Sequence, residues 1–184
     1  TGNSVDFGNL TSARKLPGGA GSATRVLFGG GNTGSVSNII DFIEIASTGD
    51  AVDYGDLTAA TSHTGGCSST TKALFAGGTT GSIVNTITAV GLQALGNSVD
   101  FGDLTGVNSL MGGTSNLTRG IWGGGETPSN SNVIQYVTFA TAGNATDFGD
   151  ATVGLAENAA VSNGHAGLEA ADPAVRFAPT PGVW

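Results

Sequence analysis

The chain has 184 residues, of which 32 are glycine and only 11% are charged, and its formal net charge is −8. Six Lys and Arg residues are too few for the cationic stripe that binds phosphates, so we expect no nucleic-acid partner and no anionic membrane surface. Glycine and the β-branched Thr and Val disfavour long helices, while 39% hydrophobic residues suffice for a folded core. The composition therefore predicts an acidic, turn-rich, all-β protein.

The sequence repeats with a period of 47 residues. The tripeptide Asp-Phe/Tyr-Gly recurs at this step, and we call each set of equivalent positions a column. The tripeptide begins at Asp6, Asp53, Asp100 and Asp147. An aromatic column contains Phe28, Phe75 and Trp122, and a cationic column contains Arg25, Lys72 and Arg119. So many columns in phase, without one insertion, indicate an array of equivalent units.

The units divide the chain as follows. Residues 1–12 are predicted to be the last strand of a unit, full units occupy about 13–58, 59–105 and 106–152, and 153–171 begin a partial unit. A tail with three prolines follows at 172–184. Pairing of an N-terminal last strand with a C-terminal first strand would close a ring. Four units is the low end for such rings, so a larger ring of several chains, or a longer parent chain, stays open.

Each full unit is predicted to contain short strands separated by polar turns. In the first unit we expect a weak strand near 20–22, a buried strand at 25–28 and an aliphatic strand at 39–45. Alternation in the aliphatic strand breaks between Phe42 and Ile43, which predicts a bulge there or burial of both strand faces. The segment 5–8 and its copies give an edge-like strand that enters a turn.

These units resemble kelch-type repeats. Kelch blades have an apolar strand that ends in Gly-Gly, a polar loop, an aliphatic strand, and then an aromatic residue before a turn and an Arg. Here the order is 27–30, 39–45, and Tyr54 before Leu57, while the closing Arg occurs only as Arg14. The resemblance implies a kelch-like β-propeller or a segment of one.

The same units are also similar to repeats in structural proteins of marine tailed phages, cyanophages especially. This resemblance covers nearly all of residues 1–171 and carries no catalytic motif. It implies a non-enzymatic virion or tail component, located in the extracellular particle, which binds other virion proteins and is expected to form a homo-oligomer. Host surface polysaccharide is a further partner to consider, since repeated weak sites give avidity.

Three sets of residues are candidate sites. Asp residues of the repeated turn suit Ca²⁺ by ligand type, but turn chemistry explains them as well and we favour it; the candidates are Asp53, Asp56, Asp100 and Asp103. The cationic column either binds an anionic glycan or, as we favour, pairs with Asp of the neighbouring turn. Aromatic residues such as Trp122 either stack on sugars or pack between units.

Two other functions remain as alternatives. A free carbohydrate-binding propeller lectin would read glycans through Arg25, Lys72, Arg119 and Trp122. A copper oxidase with kelch-type blades needs two Tyr, two His and a Cys; the counts fit, but the repeat columns place Tyr54 and Tyr136 as core aromatics. Cys67 is expected to be a small buried apolar residue. We therefore expect no cofactor and no catalytic residue.

Overall fold

The computed structural model describes residues 2–161, and over this range the chain forms β-strands and no helices. The strands make three four-stranded antiparallel sheets, each with its strands in chain order from one edge to the other. The all-β prediction is confirmed. Short strands and tight turns follow from a sequence in which Gly, Thr, Ser and Val dominate.

The three sheets use equivalent segments of successive units. Sheet 1 contains β1 (Gly18–Gly21), β2 (Arg25–Gly29), β3 (Ile39–Glu44) and β4 (Val52–Asp56). Sheet 2 contains β5 (Gly65–Ser68), β6 (Lys72–Ala76), β7 (Thr86–Gly91) and β8 (Val99–Asp103). Sheet 3 contains β9 (Gly112–Ser115), β10 (Arg119–Gly123), β11 (Ser131–Thr138) and β12 (Thr146–Leu155).

The strands at 25–28 and 39–45 are confirmed as β2 and β3, and the weak strand near 20–22 begins slightly earlier, as β1. Residues 2–10, in contrast, form no strand, so the prediction of an edge-like strand at 5–8 was wrong, although its copies are strands in β4, β8 and β12. This segment is equivalent in sequence to β4 and β8, but the described residues contain no sheet before sheet 1 that it could join as a last strand. Residues 162–171 of the predicted partial unit and the tail at 172–184 lie outside the described residues.

The predicted irregularity of the aliphatic strand exists, but it lies elsewhere. Its register against β4 shifts between Ile40 and Asp41, because Tyr54 is an extra residue between Gly55 and Asp53. Phe101 and Phe148 are the extra residues at the same point of β8 and β12. The bulge is therefore on the last strand and involves its aromatic residue, so a bulge between Phe42 and Ile43 was the wrong alternative. The other alternative, burial of both strand faces, holds for β7, in which the residues from Ile87 to Val90 are all buried.

Adjacent sheets pack face to face. We call the face of a sheet that looks toward the next sheet its forward face, and the opposite face its rear face. The forward face of sheet 1, with Leu27, Ile40 and Tyr54, packs against Phe75 and Val90 of the rear face of sheet 2. This interface buries aliphatic and aromatic side chains almost completely, and such burial is the main stabilising contribution in a protein of this composition.

The second interface repeats the first one unit later. The forward face of sheet 2 contributes Leu74, Ile87 and Phe101, and the rear face of sheet 3 contributes Trp122 and Val137. Because each interface uses the same columns, the chain builds one kind of contact twice.

Equivalent residues at one edge of the sheets also recur every 47 residues, and they bond to one another. Leu16, His63, Leu110 and Glu157 all have a positive φ between 56° and 62°, and each of the last three donates its backbone N–H to the carbonyl of the preceding one at 3.0–3.2 Å. This line of bonds connects successive units beside their first strands. It continues to Glu157, which shows that the chain keeps the register of the repeat beyond β12.

The described residues contain no helix that is long and apolar enough to cross a membrane.

Candidate functional site

The forward face of sheet 3 has no sheet packed against it within the described residues. Phe148 on this face is 60% exposed, whereas the equivalent Tyr54 and Phe101 are 2% and 4% exposed. Its neighbour Tyr136 contacts it edge-on, with ring centroids 6.1 Å apart. Together with the half-buried Ile121 and Ile134, these side chains form an apolar surface that we call the forward end face.

Glycines on the forward end face show the same lack of a neighbour. In sheet 1, a Cβ on Gly29 would lie 2.9 Å from the ring of Phe75, and one on Gly55 would clash with Gly96. In sheet 3 Gly149 has nothing within 4 Å, and Gly123 meets only its own sheet, whereas a Cβ on Gly112 would lie 3.0–3.2 Å from Asn158, Ala159 and Ala160. The surface is therefore open over its later strands, and the chain's own continuation covers it beside the first strand.

The rear face of sheet 1 is the complementary surface. It carries Val26, Phe28 and Ile43, all half-buried, and Ile45, which is 45% exposed. In sheets 2 and 3 the equivalent side chains are buried against the preceding sheet. We call this surface the rear end face.

One edge of the rear end face is covered by the chain's own N-terminal segment. Gly49 N–H donates to the carbonyl of Phe7, and Ala51 N–H donates to the carbonyl of Asn9, both at 2.8 Å. The carbonyls of Tyr54 and Asp56 accept the equivalent two bonds from the N–H groups of Gly96 and Ser98 in the following unit. Residues 7–9 therefore lie where the last strand of a preceding sheet would lie, although most of the segment 2–10 is exposed.

The cationic column connects neighbouring sheets. Arg25 donates from Nη1 to the carbonyl of Leu92 in the next unit at 3.2 Å, and Lys72 donates from Nζ to the carbonyl of Phe139 at 2.9 Å. Arg25 also pairs with Glu44 of its own sheet at 2.7 Å, and the hydrogen bond to this carboxylate raises the pKa of Arg25. The expectation that these cations pair with Asp of the neighbouring turn was wrong for Arg25 and Lys72, since backbone carbonyls are their partners across the interface.

Arg119 differs from the other two cations. Its guanidinium lies 4.5 Å from the centroid of the Tyr136 ring, just as Arg25 lies over Phe42 and Lys72 lies over Phe101. The carbonyl that would come from a following unit is absent among the described residues, and the side chain is exposed. Arg119 thus borders the forward end face as an exposed cation over the Tyr136 ring.

Trp122, the candidate sugar-stacking residue, is inaccessible. Its side chain is fully buried, its Nε1 donates to the carbonyl of Gly65 at 3.1 Å, and its Cδ1 would lie only 2.8 Å from a Cβ on Gly65. A ring packed between two sheets cannot stack on a glycan, so we do not retain it as a ligand-binding residue.

The acidic turns show the backbone bonding that Asp provides in turns. Oδ1 of Asp53 accepts the N–H of Gly55 at 3.0 Å, and Asp6 and Asp147 do the same for Gly8 and Gly149. The other calcium candidates lie in the same turns: Asp100 is exposed, and Asp56 and Asp103 are half-buried. Within residues 2–161, no three His, Cys, Asp or Glu residues come together as a metal site would need.

A buried ion pair was not anticipated from the sequence. Arg14 Nη2 lies 3.0 Å from Oδ2 of Asp41, and neither side chain is exposed. Asp41 also accepts two hydrogen bonds from Thr11, through its N–H at 3.1 Å and its hydroxyl at 2.7 Å. The sequence did contain a signal for this pair. Both charges occur in the same unit, in columns that carry neutral residues in the other two full units.

The described residues of the copper-oxidase alternative lie apart in the fold. The Tyr54 hydroxyl donates to the carbonyls of Gly91 and Ala94 in the next unit, and burial raises its pKa. Tyr136 belongs to the forward end face. Cys67 is buried, which raises the pKa of its thiol. His63 bonds the neighbouring Ser62 hydroxyl at 2.9 Å, and His165 lies outside the described residues.

A shallow groove of about 240 Å³ runs across the first strands of the three sheets. Its walls are mainly backbone, with the Ser68 and Ser115 hydroxyls donating to carbonyls of the preceding unit. These bonds join the first strands to each other.

No protein-family model matches this sequence, and no curated protein matches it.

Proposed function

We propose that this chain is a structural component of a tailed-phage particle, built as a segment of a kelch-like β-propeller, that acts by contacts with other proteins of the particle. The repeat's resemblance to kelch units and to structural proteins of marine phages supports this identity. The three up-and-down sheets at a 47-residue step are compatible with successive blades.

One observation carries the proposal. The side chains with the greatest chemical capacity whose sheet has a neighbour, namely Arg25, Lys72, Tyr54, Phe75 and Trp122, make contacts between neighbouring sheets. In such an architecture the repeated residues stabilise the array, and the uncovered end faces and polar loops meet partners. This use of side chains suits a structural role.

Mass spectrometry of gradient-purified virus particles from the source material tests this function. The tryptic peptides 73–119 and 120–176 should be found in the particle band at a fixed ratio to the major capsid protein. A copy number that is a multiple of six or twelve would indicate the tail. Peptides confined to the cell or medium fraction would contradict the virion assignment.

The carbohydrate-binding alternative has lost its aromatic candidate, because Trp122 is buried. A glycan array probed with the purified chain separates the two functions. We expect no binding, and reproducible binding to one class of polysaccharide would favour a role in adsorption to the host surface.

A further inference from the structure

We propose that the forward end face of one copy of this chain binds the rear end face of a second copy, head to tail. The proposal names one partner for the structural role given above, and it rests on that proposed function. Its test uses the purified chain alone, so it can fail separately from the particle experiment.

The first argument is that the two end faces are the two halves of an interface that the chain already builds twice. Phe75 packs into the space beside Gly18 and Gly29, and Trp122 packs beside Gly65. At the end of the array, Gly123 has space on its forward side. At the other end Phe28 is half-buried, whereas Phe75 and Trp122, the other described members of its column, are buried. Phe28 of a second copy fits the space over Gly123.

The second argument concerns polar groups. In the two existing interfaces, a cation of one sheet bonds the carbonyl of Leu92 or Phe139 in the next. Ile45 is the member of that column in sheet 1. Arg119 would therefore find its missing carbonyl acceptor at Ile45 of the second copy.

The third argument concerns the N-terminal segment. The carbonyls of Phe148 and Asp150 are the next members of the column that accepts N–H groups from a following unit, and Gly49 and Ala51 of the second copy are the matching donors. In a single chain these donors bond Phe7 and Asn9. Docking therefore exchanges one Asp-Phe-Gly segment for another, while the apolar end faces become buried. It also brings β1 of the second copy to the place where Asn158, Ala159 and Ala160 lie beside Gly112, so this short segment has to move aside.

Residues 162–184 of the same chain are a poorer occupant of the forward end face. The 47-residue step places Glu169 in the aromatic column and Pro181 in the column of Ile40. A carboxylate in an apolar interface and a proline inside a strand are both unfavourable. The second copy offers Phe28 and Ile40 at these positions.

Such a contact is heterologous, so it produces a ring if the rotation closes and an open fibre if it does not. Heterologous contacts allow a test by complementation. Phe148→Lys blocks only the forward end face, and Phe28→Lys or Ile45→Lys blocks only the rear end face. Val107→Lys is the matched control, because Val107 is 47% exposed and lies in the turn between sheets 2 and 3.

Sedimentation velocity of the full chain over a range of concentrations gives the readout. The unmodified chain and Val107→Lys should self-associate, and each blocked variant should raise the dissociation constant about tenfold or more. A mixture of Phe148→Lys with a rear-blocked variant should form a dimer and nothing larger. Arg119→Gln should weaken association and lower the melting temperature of the monomer only slightly, because the contact that its side chain makes within the described residues is with the Tyr136 ring.

Hydrogen exchange on the same samples reports the segment exchange. On association, the N-terminal segment around Phe7 should exchange faster, and Gly49 and Ala51 should stay protected. An unmodified chain that stays monomeric at every concentration would overturn the proposal, as would a mixture of blocked variants that forms no dimer. Association that survives both blocks unchanged would also overturn it.

Discussion

The buried pair of Arg14 and Asp41 is the feature of sheet 1 in which single side chains matter most. Removing one charge of a buried pair leaves the other unpaired, which usually costs about 3–5 kcal/mol. Here two guanidinium nitrogens of Arg14, Nε and Nη1, already lack a partner among the described residues. Asp41→Asn should therefore lower the free energy of unfolding by an amount in that range, measured by urea denaturation.

The third unit supplies a control for this prediction. Gln135 occupies the column of Asp41 and accepts the N–H and hydroxyl of Thr105 at 2.8 and 3.0 Å, as Asp41 does from Thr11. The double variant Arg14→Asn with Asp41→Gln copies that neutral arrangement and should recover most of the lost stability. If the double variant is no more stable than Asp41→Asn, the loss does not come from an unpaired charge.

Tyr54 gives a prediction about pH. Burial raises its pKa above the ordinary value of 10.0, so the folded state holds the phenolic proton more tightly than the unfolded chain does. The associated stability is present below pH 10 and is lost as pH rises through the raised pKa. Thermal unfolding between pH 8 and about 11 should show a steeper decline for the native chain than for Tyr54→Phe.

At neutral pH the same substitution should cost about 1 kcal/mol, because the hydroxyl donates to carbonyls of the next unit. Phe is a fitting replacement, since Phe101 occupies the equivalent position. Parallel pH profiles for the two proteins would show that Tyr54 does not titrate differently on folding.

At the scale of the strand, the glycine after each aromatic bulge residue allows a close approach between units. Gly102 has a φ of +149° and lies against the carbonyl of Gly143, whereas Gly149 has a φ of +138° and open space. Gly102→Ala should therefore destabilise the chain by the backbone strain plus a clash, and Gly149→Ala by the strain alone. Urea denaturation at low protein concentration measures the difference, and equal losses would show that the close approach is unimportant.

The acidic turns give a second prediction at this scale. Because Asp53 and its equivalents bond the backbone of their own turn, EGTA should leave the melting temperature unchanged. Glu44→Gln removes a carboxylate outside these turns, so its melting temperature with and without EGTA serves as a control for general effects of protein charge. A fall of several degrees on adding EGTA would show that the turns bind calcium.

Much of the strand pattern was predictable from the sequence, because turn glycines and aliphatic runs recur in every unit. The position of the bulge was not, since alternation along β3 does not reveal that Tyr54 on the partner strand is the extra residue. The site was less predictable still. The repeated aromatic column predicted packing between units. Whether Trp122 or Phe148 is exposed, however, depends on which units have a neighbour, and that is a property of the assembled array.

At the scale of the whole molecule, stability should be distributed unevenly. Each sheet stabilises only its neighbours, as in other repeat proteins. Sheet 2 is covered on both faces, and in β6 the residues from Ala73 to Ala76 are all buried. Within the part of the chain that the structure describes, sheets 1 and 3 each have one end face on which no other sheet packs. Opening of the array should therefore begin at its ends.

Amide hydrogen exchange at low protein concentration tests this gradient. Amides of β6 and β7 should exchange most slowly, and those of β2 and β10 measurably faster, because local opening near an uncovered face exposes less apolar surface to water than opening of the central sheet. Raising the concentration should then slow exchange in β2 and β10 and leave β6 unchanged, since only the end faces gain a neighbour. Uniform protection across the three sheets at low concentration would contradict this account and indicate a single cooperative unit.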